Sequence, residues 1–359
     1  MRLSLFEPKP SQVFDTGPRS IAAVSMLRIS VTDRCNFRCQ YCMPAEGVAW
    51  LPKDELLTFE EIVDIAKAAV ELHGIRRFKL TGGEPTLRRG ITDLVRLLKN
   101  TRGVEDVSLT TNGFALPDLA RPLRESGLDR VTISVDSLKA DRFKAITRTG
   151  DLPTVLRGID TAIEAGFASV KINCVTMRGT NDDELVDFAR LTLAKPVTVR
   201  FIEYMPLGYS QFAGRVSDDE IGPTGGCGAQ DRGDVFISET DVRQAIENSL
   251  GELQPVERST EAGVGPAVPY QLPNALGRVA FISAMSAPFC STCNRLRLTA
   301  TGVLRSCLFE GGEVDLKPIL RGQSADRRRA VADAMVECVR LKPDVHSHHG
   351  NEQMSRIGG

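Results

Sequence analysis

Between residues 26 and 201 the sequence alternates between two periodicities, and that rhythm dictates the fold. Short stretches rich in β-branched and apolar residues, at 26–32, 78–81, 106–110, 130–134, 169–175 and 196–201, read as strands. Between them, segments 58–73, 91–99, 117–126, 154–165 and 182–192 carry apolar residues at helical spacing. The first helix opens with Thr58-Phe59-Glu60-Glu61, a capping-box pattern, and the fifth follows Asn181, a favourable N-cap. Strands separated by helices pair in parallel with the helices outside. Right-handed crossovers then lead to an open or closed βα barrel, whose chemistry sits at the C-terminal ends of the strands.

Beyond residue 201 the rhythm breaks. Residues 206–235 are rich in Gly, Asp and Pro and read as a long loop. A helix is expected over 238–251, with Ser238 as N-cap and Gly251 as stop, then a strand at 279–282. A hairpin of 295–299 and 303–307 turns at Thr301-Gly302, and a last helix covers 324–341.

Cysteine usage gives the first chemical signal. The 359 residues include nine cysteines, an odd number, and no secretory leader is expected from MRLSLFEPKPSQ. A disulfide framework is therefore not expected, and the chain reads as cytoplasmic. Six of the nine form two triplets. Cys35, Cys39 and Cys42 follow the first strand with spacing C-x3-C-x2-C, succeeded by Met43-Pro44. Three thiolates on one short loop can hold three corners of an iron–sulfur cubane and leave the fourth iron for a ligand. The competing reading is a structural zinc loop, but that takes four ligands and no fourth is near. Cys290, Cys293 and Cys307 form the second triplet, where zinc is the stronger rival because CxxC plus a hairpin is a common zinc geometry.

Thr81-Gly82-Gly83-Glu84-Pro85 ends the second strand. Glycines there would admit a ligand close to the backbone, exposed amides would bind a carboxylate, and Glu84 would accept from an ammonium; the alternative is a plain βα turn. Arg295 and Arg297 flank Leu296 on the hairpin, and period-two spacing puts both guanidinium groups on one face; an Arg pair is ordinarily a solvated strand face, but placement between the cysteines favours forks for phosphate oxygens.

Lys plus Arg total 45 against 46 Asp plus Glu, a net charge of −1. That excludes a global field for nucleic acid or anionic membranes, so an anionic ligand needs a local basic cluster. No apolar run approaches the ~18 residues of a membrane span.

In combination these motifs resemble the GTP 3′,8-cyclases of molybdenum cofactor biosynthesis, radical S-adenosylmethionine (SAM) enzymes. The resemblance runs from about residue 27 to the end and includes LRISVTDRCNFRCQYCMP, LTGGEPTLR, LTTNG, SVDS, RFIEYMPLG, FCSTCNRLRLTATG and the terminal MSRIGG. It implies an α/β fold, an incomplete, TIM-like (βα)6 barrel of radical SAM type with a C-terminal α+β region covering the open side. The implied division is a barrel core over 1–205, a loop-rich connection over 206–237 and a C-terminal region over 238–359.

The resemblance further implies two [4Fe–4S] clusters, one on Cys35, Cys39 and Cys42 and a second on Cys290, Cys293 and Cys307. SAM would lie against Tyr41, Gly83, Ser134 and Met205, and GTP against Arg28, Lys79, Thr110, Lys171, Arg295, Leu296 and Arg297. The implied activity is that of a lyase converting GTP to 3′,8-cyclo-7,8-dihydro-GTP, with a one-electron donor and cyclic pyranopterin monophosphate synthase downstream, acting as monomer or homodimer. The Gly-Gly terminus would reach the active site.

Lys79 departs from the Arg that the family commonly carries, and the 216–234 loop with Cys227 is longer than usual. Cys227 has no expected role, and Cys174 and Cys338 read as small buried hydrophobes. His346, His348 and His349 are expected to be solvated, while Asn112 and Asp136 suit either the pocket or ordinary turn roles. Two other readings compete with cyclisation: a radical SAM enzyme with an auxiliary cluster acting on a peptide or another small molecule, and a non-catalytic protein with two zinc sites.

Overall fold

The computed structural model describes residues 16–207, 235–257, 265–310, 313–323, 325–346 and 354–357. Most of the 206–237 loop including Cys227, together with Ser324, His348, His349, Gly358 and Gly359, lies outside the described residues.

Six parallel strands form the centre in chain order: β1 (Met26–Ser30), β2 (Arg77–Thr81), β3 (Asp106–Thr111), β4 (Arg130–Ser134), β5 (Ser169–Thr176) and β6 (Val197–Glu203). They alternate with α1 (Phe59–His73), α2 (Ile91–Lys99), α3 (Leu116–Glu125), α4 (Ala140–Thr147), α5 (Leu152–Glu164) and α6 (Leu185–Ala194). The expected barrel core is thus present with one helix more than the periodicity marked. Helix α4 is only eight residues long, too short for its spacing to stand out.

Side-chain caps open α1 and α5, while α2, α3, α4 and α6 start without one. Thr58 accepts from the Glu61 N–H at 3.2 Å, and Glu61 reaches back to the Thr58 N–H at 2.8 Å, completing the box. Asp151 caps α5 through the Thr154 N–H, which moves that start two residues ahead of expectation. Asn181 does not cap α6. Its side chain accepts from the Met177 N–H at 2.8 Å and donates to the Asp136 and Val175 carbonyls, tying the β4 and β5 ends together. A 3-10 turn at Asp182–Glu184 then precedes the helix.

Downstream come α7 (Glu239–Leu250), β7 (Gln254–Pro255), β8 (Val268–Gln271), β9 (Arg278–Ile282), β10 (Arg295–Leu298), β11 (Val303–Arg305), β12 (Glu313–Asp315), α8 (Lys317–Arg321), α9 (Arg327–Arg340) and α10 (Met354–Ile357). Ser238 caps α7 and Gly251 ends it, as expected. The short β7, β8, β12 and α8 carried no periodic signal.

The C-terminal region extends the barrel wall at both edges. β9 pairs in parallel with β6, and β10 in parallel with β1, giving the order β12-β11-β10-β1-β2-β3-β4-β5-β6-β9-β8-β7. Gly277 makes the first docking possible, since a Cβ there would sit 2.1 Å from the Val197 carbonyl. One continuous core lies between sheet and helices, with Leu27, Ile29, Phe78, Leu80, Val131, Ile133, Val199, Phe281 and Leu296 all buried in it. Cys174 and Cys338 are in it too, as expected.

The capping box offers a direct check. Thr58→Ala removes one arm and leaves the Glu61 N–H without its cap, so stability should fall by about 1 kcal/mol. Urea unfolding of the two chains measures it, and an unchanged midpoint would mean that the cap contributes nothing here.

Candidate functional site

Period-two alternation decides what faces the barrel interior. Met26 and Arg28 of β1, Arg77 and Lys79 of β2, Ser108 and Thr110 of β3, and Arg130, Thr132 and Ser134 of β4 line one cavity of about 780 Å³. So do Lys171, Asn173 and Val175 of β5, Arg200 and Ile202 of β6, and Arg295 and Arg297 of β10. The intervening residues pack outward against the helices. Leu296 is one of these: its side chain is fully buried in the core and does not line the cavity, as its place between two inward arginines requires.

All six triplet cysteines line this cavity, as do Tyr41, Gly83, Ser134 and Met205. Topology separates the triplets. The first follows the C-terminal end of β1. The second brackets β10 and β11, and because β10 runs parallel to β1, Cys290 and Cys293 lie toward the opposite mouth. β11 returns antiparallel, which brings Cys307 back to that same mouth. Between the two mouths runs a strand length of roughly 13 Å, at 3.3 Å per residue. The rule that barrel chemistry sits at strand C-termini thus describes only the first triplet.

Among the described residues no three His, Cys, Asp or Glu side chains gather tightly enough to share a single metal ion. Each triplet offers three thiols, the number that suits three corners of a cubane, whereas a structural zinc takes four ligands. Burial pushes Cys35 up to about 11 and raises Cys39 well above its ordinary value, so these thiols favour protonation until a metal takes the proton's place.

Gly82, Gly83 and Glu84 of the GGEP turn line the cavity, and the turn is also bound to the chain ahead of the cysteine loop. The Gly83 N–H donates to the Thr32 carbonyl and the Glu84 N–H to the Arg34 carbonyl, both at 2.7 Å. A Cβ on Gly83 would sit 2.4 Å from the Arg34 carbonyl oxygen. What approaches this backbone closely is therefore the chain leading into the cysteine loop, and these two amides are already engaged. Glu84, 1% exposed, accepts on Oε1 from the Thr86 N–H and hydroxyl and the Thr111 hydroxyl, but on Oε2, among the described residues, only from the Asn112 N–H, and it lines the cavity. Asn112 in turn donates to the Asn36 side chain at 2.8 Å, inside the cysteine loop. Tyr41 donates to Asp136 at 2.6 Å, and Asp136 also accepts from the Val175 N–H.

The interior is strongly cationic. Strand register sets Arg297 beside Arg28, and Arg28 beside Lys79. Burial, then Arg297, Arg295 and Arg200, push the Arg28 guanidinium well below its ordinary value; burial, then Arg200, Arg28, Lys171 and Arg130, do the same to Lys79. Burial, then Arg295, bring Arg297 down to about 10. Burial is the first cause in every case and repulsion by the neighbouring cations the next, and both favour an anion among them. The buried Thr110 hydroxyl oxygen and Arg295 Nε have no hydrogen-bond partner among the described residues, so polar capacity points into the same space.

Some residues that shape the site were not anticipated. Arg200 bridges Asn173 and Thr132 from β6; a lone charge in the apolar run Val-Thr-Val-Arg-Phe-Ile was its signal. Arg130 lines the wall while paired to Asp106. His346 is 6% exposed and not solvated: it stacks on Phe309 at 4.1 Å between ring centroids and bonds the Ala284 carbonyl.

Comparison with known proteins places these features. The sequence matches the radical SAM superfamily over residues 29–192 and the molybdenum cofactor synthesis C family over residues 197–348. It is 45% identical to the GTP 3′,8-cyclase of Pelotomaculum thermopropionicum, covering 94% of this chain and 98% of that one. Identity to the GTP 3′,8-cyclase of Alkaliphilus oremlandii is 42%, with the same coverage. Among solved structures, Streptococcus suis SuiB bound to S-adenosylmethionine shares the fold with a TM-score of 0.57 at 11% identity, over 92% of this chain and 77% of that one.

Asp136 gives this site a measurable pH dependence. Burial lifts its carboxyl to about 6 from an ordinary 3.8, with the Tyr41 and Val175 hydrogen bonds opposing. The folded chain binds this proton more tightly than the unfolded one. Its stabilisation is therefore full below about pH 4 and lost as the pH rises through about 6, a change of about 3 kcal/mol. Asp136→Asn should remove that slope, gaining on the parent chain between pH 4 and pH 7 when metal-free protein is unfolded in urea. Parallel curves for the two chains would show that Asp136 titrates normally.

Proposed function

The chain belongs to the GTP 3′,8-cyclase family, radical SAM lyases of the first step of molybdenum cofactor biosynthesis, and on that premise we propose how its own residues divide the work. One observation carries the reading: two cysteine triplets open from opposite mouths onto a single cavity whose wall between them is lined with cations. A cluster on Cys35, Cys39 and Cys42, with SAM, supplies hydrogen-abstracting radical chemistry when bound. Tyr41, Ser134 and Met205 line the cavity toward that mouth, and Gly83 contributes wall rather than its N–H, which Thr32 holds.

GTP is bound along the cationic wall. Arg28, Arg295 and Arg297 offer guanidinium forks to phosphate oxygens, and Lys79 and Lys171 add point charges. Lys79 donates to the Thr132 hydroxyl at 3.3 Å, so it keeps the charge of the common arginine without its fork. Thr110 offers a hydroxyl that can donate or accept. Leu296 contributes its backbone and the alternation that turns its neighbours inward. Holding the triphosphate on β1, β2 and β10 aims the guanine toward Cys290, Cys293 and Cys307 and the ribose toward the first triplet. The barrel wall then orients the sugar and excludes water, and no side chain need act as a nucleophile.

The division at 205 and 237 is supported by the way β9 and β10 dock on opposite edges of the first six strands. A reducing compartment, the cytoplasm, suits eight described cysteines that form no disulfide. Among the described residues no helix is long and apolar enough to cross a membrane. A one-electron donor and a downstream cyclic pyranopterin monophosphate synthase complete the proposed setting. A peptide substrate has no use for the paired arginines facing inward.

Removing both Arg295 and Arg297 as alanines should weaken GTP binding about 100-fold or more while the iron content stays at about eight per chain. Unchanged GTP affinity in calorimetry would overturn the assignment of the triphosphate to these residues. With the parent chain, SAM, GTP and dithionite under anaerobic conditions should yield 5′-deoxyadenosine together with cyclised GTP by mass spectrometry. Deoxyadenosine alone would return the substrate to the peptide reading.

A further inference from the structure

We propose that Lys342 is a positioning residue for the second cysteine triplet, gripping Cys293 through its carbonyl and its sulfur and raising the reduction potential of a cluster bound there. The inference rests on the reading of Cys290, Cys293 and Cys307 as cluster ligands. Lys342 directly follows the C-cap of α9 and is 4% exposed. Its Nζ donates to the Cys293 carbonyl at 2.9 Å and lies 3.8 Å from the Cys293 sulfur. Its backbone is held as well: the N–H donates to the Val339 carbonyl, and the carbonyl accepts from Arg19 Nε at 2.8 Å.

Among the described residues no carboxylate pairs with this ammonium. The nearest acid in sequence, Asp344, is taken by Arg19 and points to solvent. A buried ammonium without a counter-charge is costly, and here the available acceptors are both atoms of Cys293. The missing negative charge is supplied once the cysteine is a metal-bound thiolate. An N–H···S contact and a nearby cation favour the more negative, reduced state of an iron–sulfur cluster.

The same segment reaches a second ligand. Four residues on, the His346 backbone N–H donates to the Cys290 sulfur, while its ring is clamped between Phe309 and the Ala284 carbonyl. The stretch from Lys342 to His346 thus braces two of the three cysteines, and His346 itself lines the cavity.

The test is an anaerobic redox titration of the full holoenzyme, following the reduced-cluster electron paramagnetic resonance signals. A C35A/C39A/C42A chain identifies which signal belongs to the second cluster. About four irons retained by that chain upholds the ligand reading; none retained overturns it, independently of Lys342. K342M should shift the second cluster toward its oxidised form about tenfold at fixed potential, about 59 mV for one electron. K342R should stay near the parent. An unshifted K342M, or a K342R that shifts as far as K342M, overturns the proposal. If K342M loses the second cluster, retention in K342R supports the grip and loss in both overturns it.

Discussion

The parallel pairing of β10 with β1 is the contact on which the rest depends. It closes one edge of a six-stranded barrel wall and sets Arg297 beside Arg28. It also fixes the polarity of the molecule. A strand running with β1 must deliver its preceding residues to the mouth opposite the one that follows β1. Two cysteine triplets, more than two hundred residues apart in sequence, are thereby set at the two ends of one cavity. Had β10 paired antiparallel, both would have crowded one mouth.

That geometry explains how a chain of net charge −1 handles a polyanion. The cavity is lined by eight basic and two acidic residues. Both acids are hydrogen-bonded locally, Glu84 by its own turn and β3, Asp136 by Tyr41 and Val175. The compensating carboxylates lie outside the cavity, as with Asp106 on Arg130 and Glu105 on Arg77. The interior charge works against the fold, and the helix-packed core on the other side of the wall offsets it. Specificity for a highly charged ligand follows from enclosure, since the same side chains in water would be screened.

Much of this was legible in the sequence. Strands β1 to β6 and helices α1, α2 and α3 lie within two residues of the positions that periodicity marks. The Thr58 box and the Ser238 cap work as their residue types predict. What escaped falls into two physical classes. Short elements such as α4, β7 and β12 exist through tertiary pairing and leave too few residues for a period to show. Side chains whose partners are remote in sequence misled composition-based reading. Asn181 prefers two strand-end carbonyls to a helix terminus, and His346 looks solvated in a polar tail until Phe309 meets it. Leu296 belongs with its arginine neighbours as a string and apart from them as a side chain.

The GGEP turn has a consequence for the cysteine loop. The chain itself holds much of it: Thr32 and Arg34 take the Gly83 and Glu84 amides, and Thr86, Thr111 and Asn112 bond the carboxylate. Through Asn112 and Asn36 the turn then fastens to the cysteine loop. The motif is a buckle for the loop's shape. A change at Asn112 or Asn36 would therefore loosen the cysteine loop without touching a cysteine.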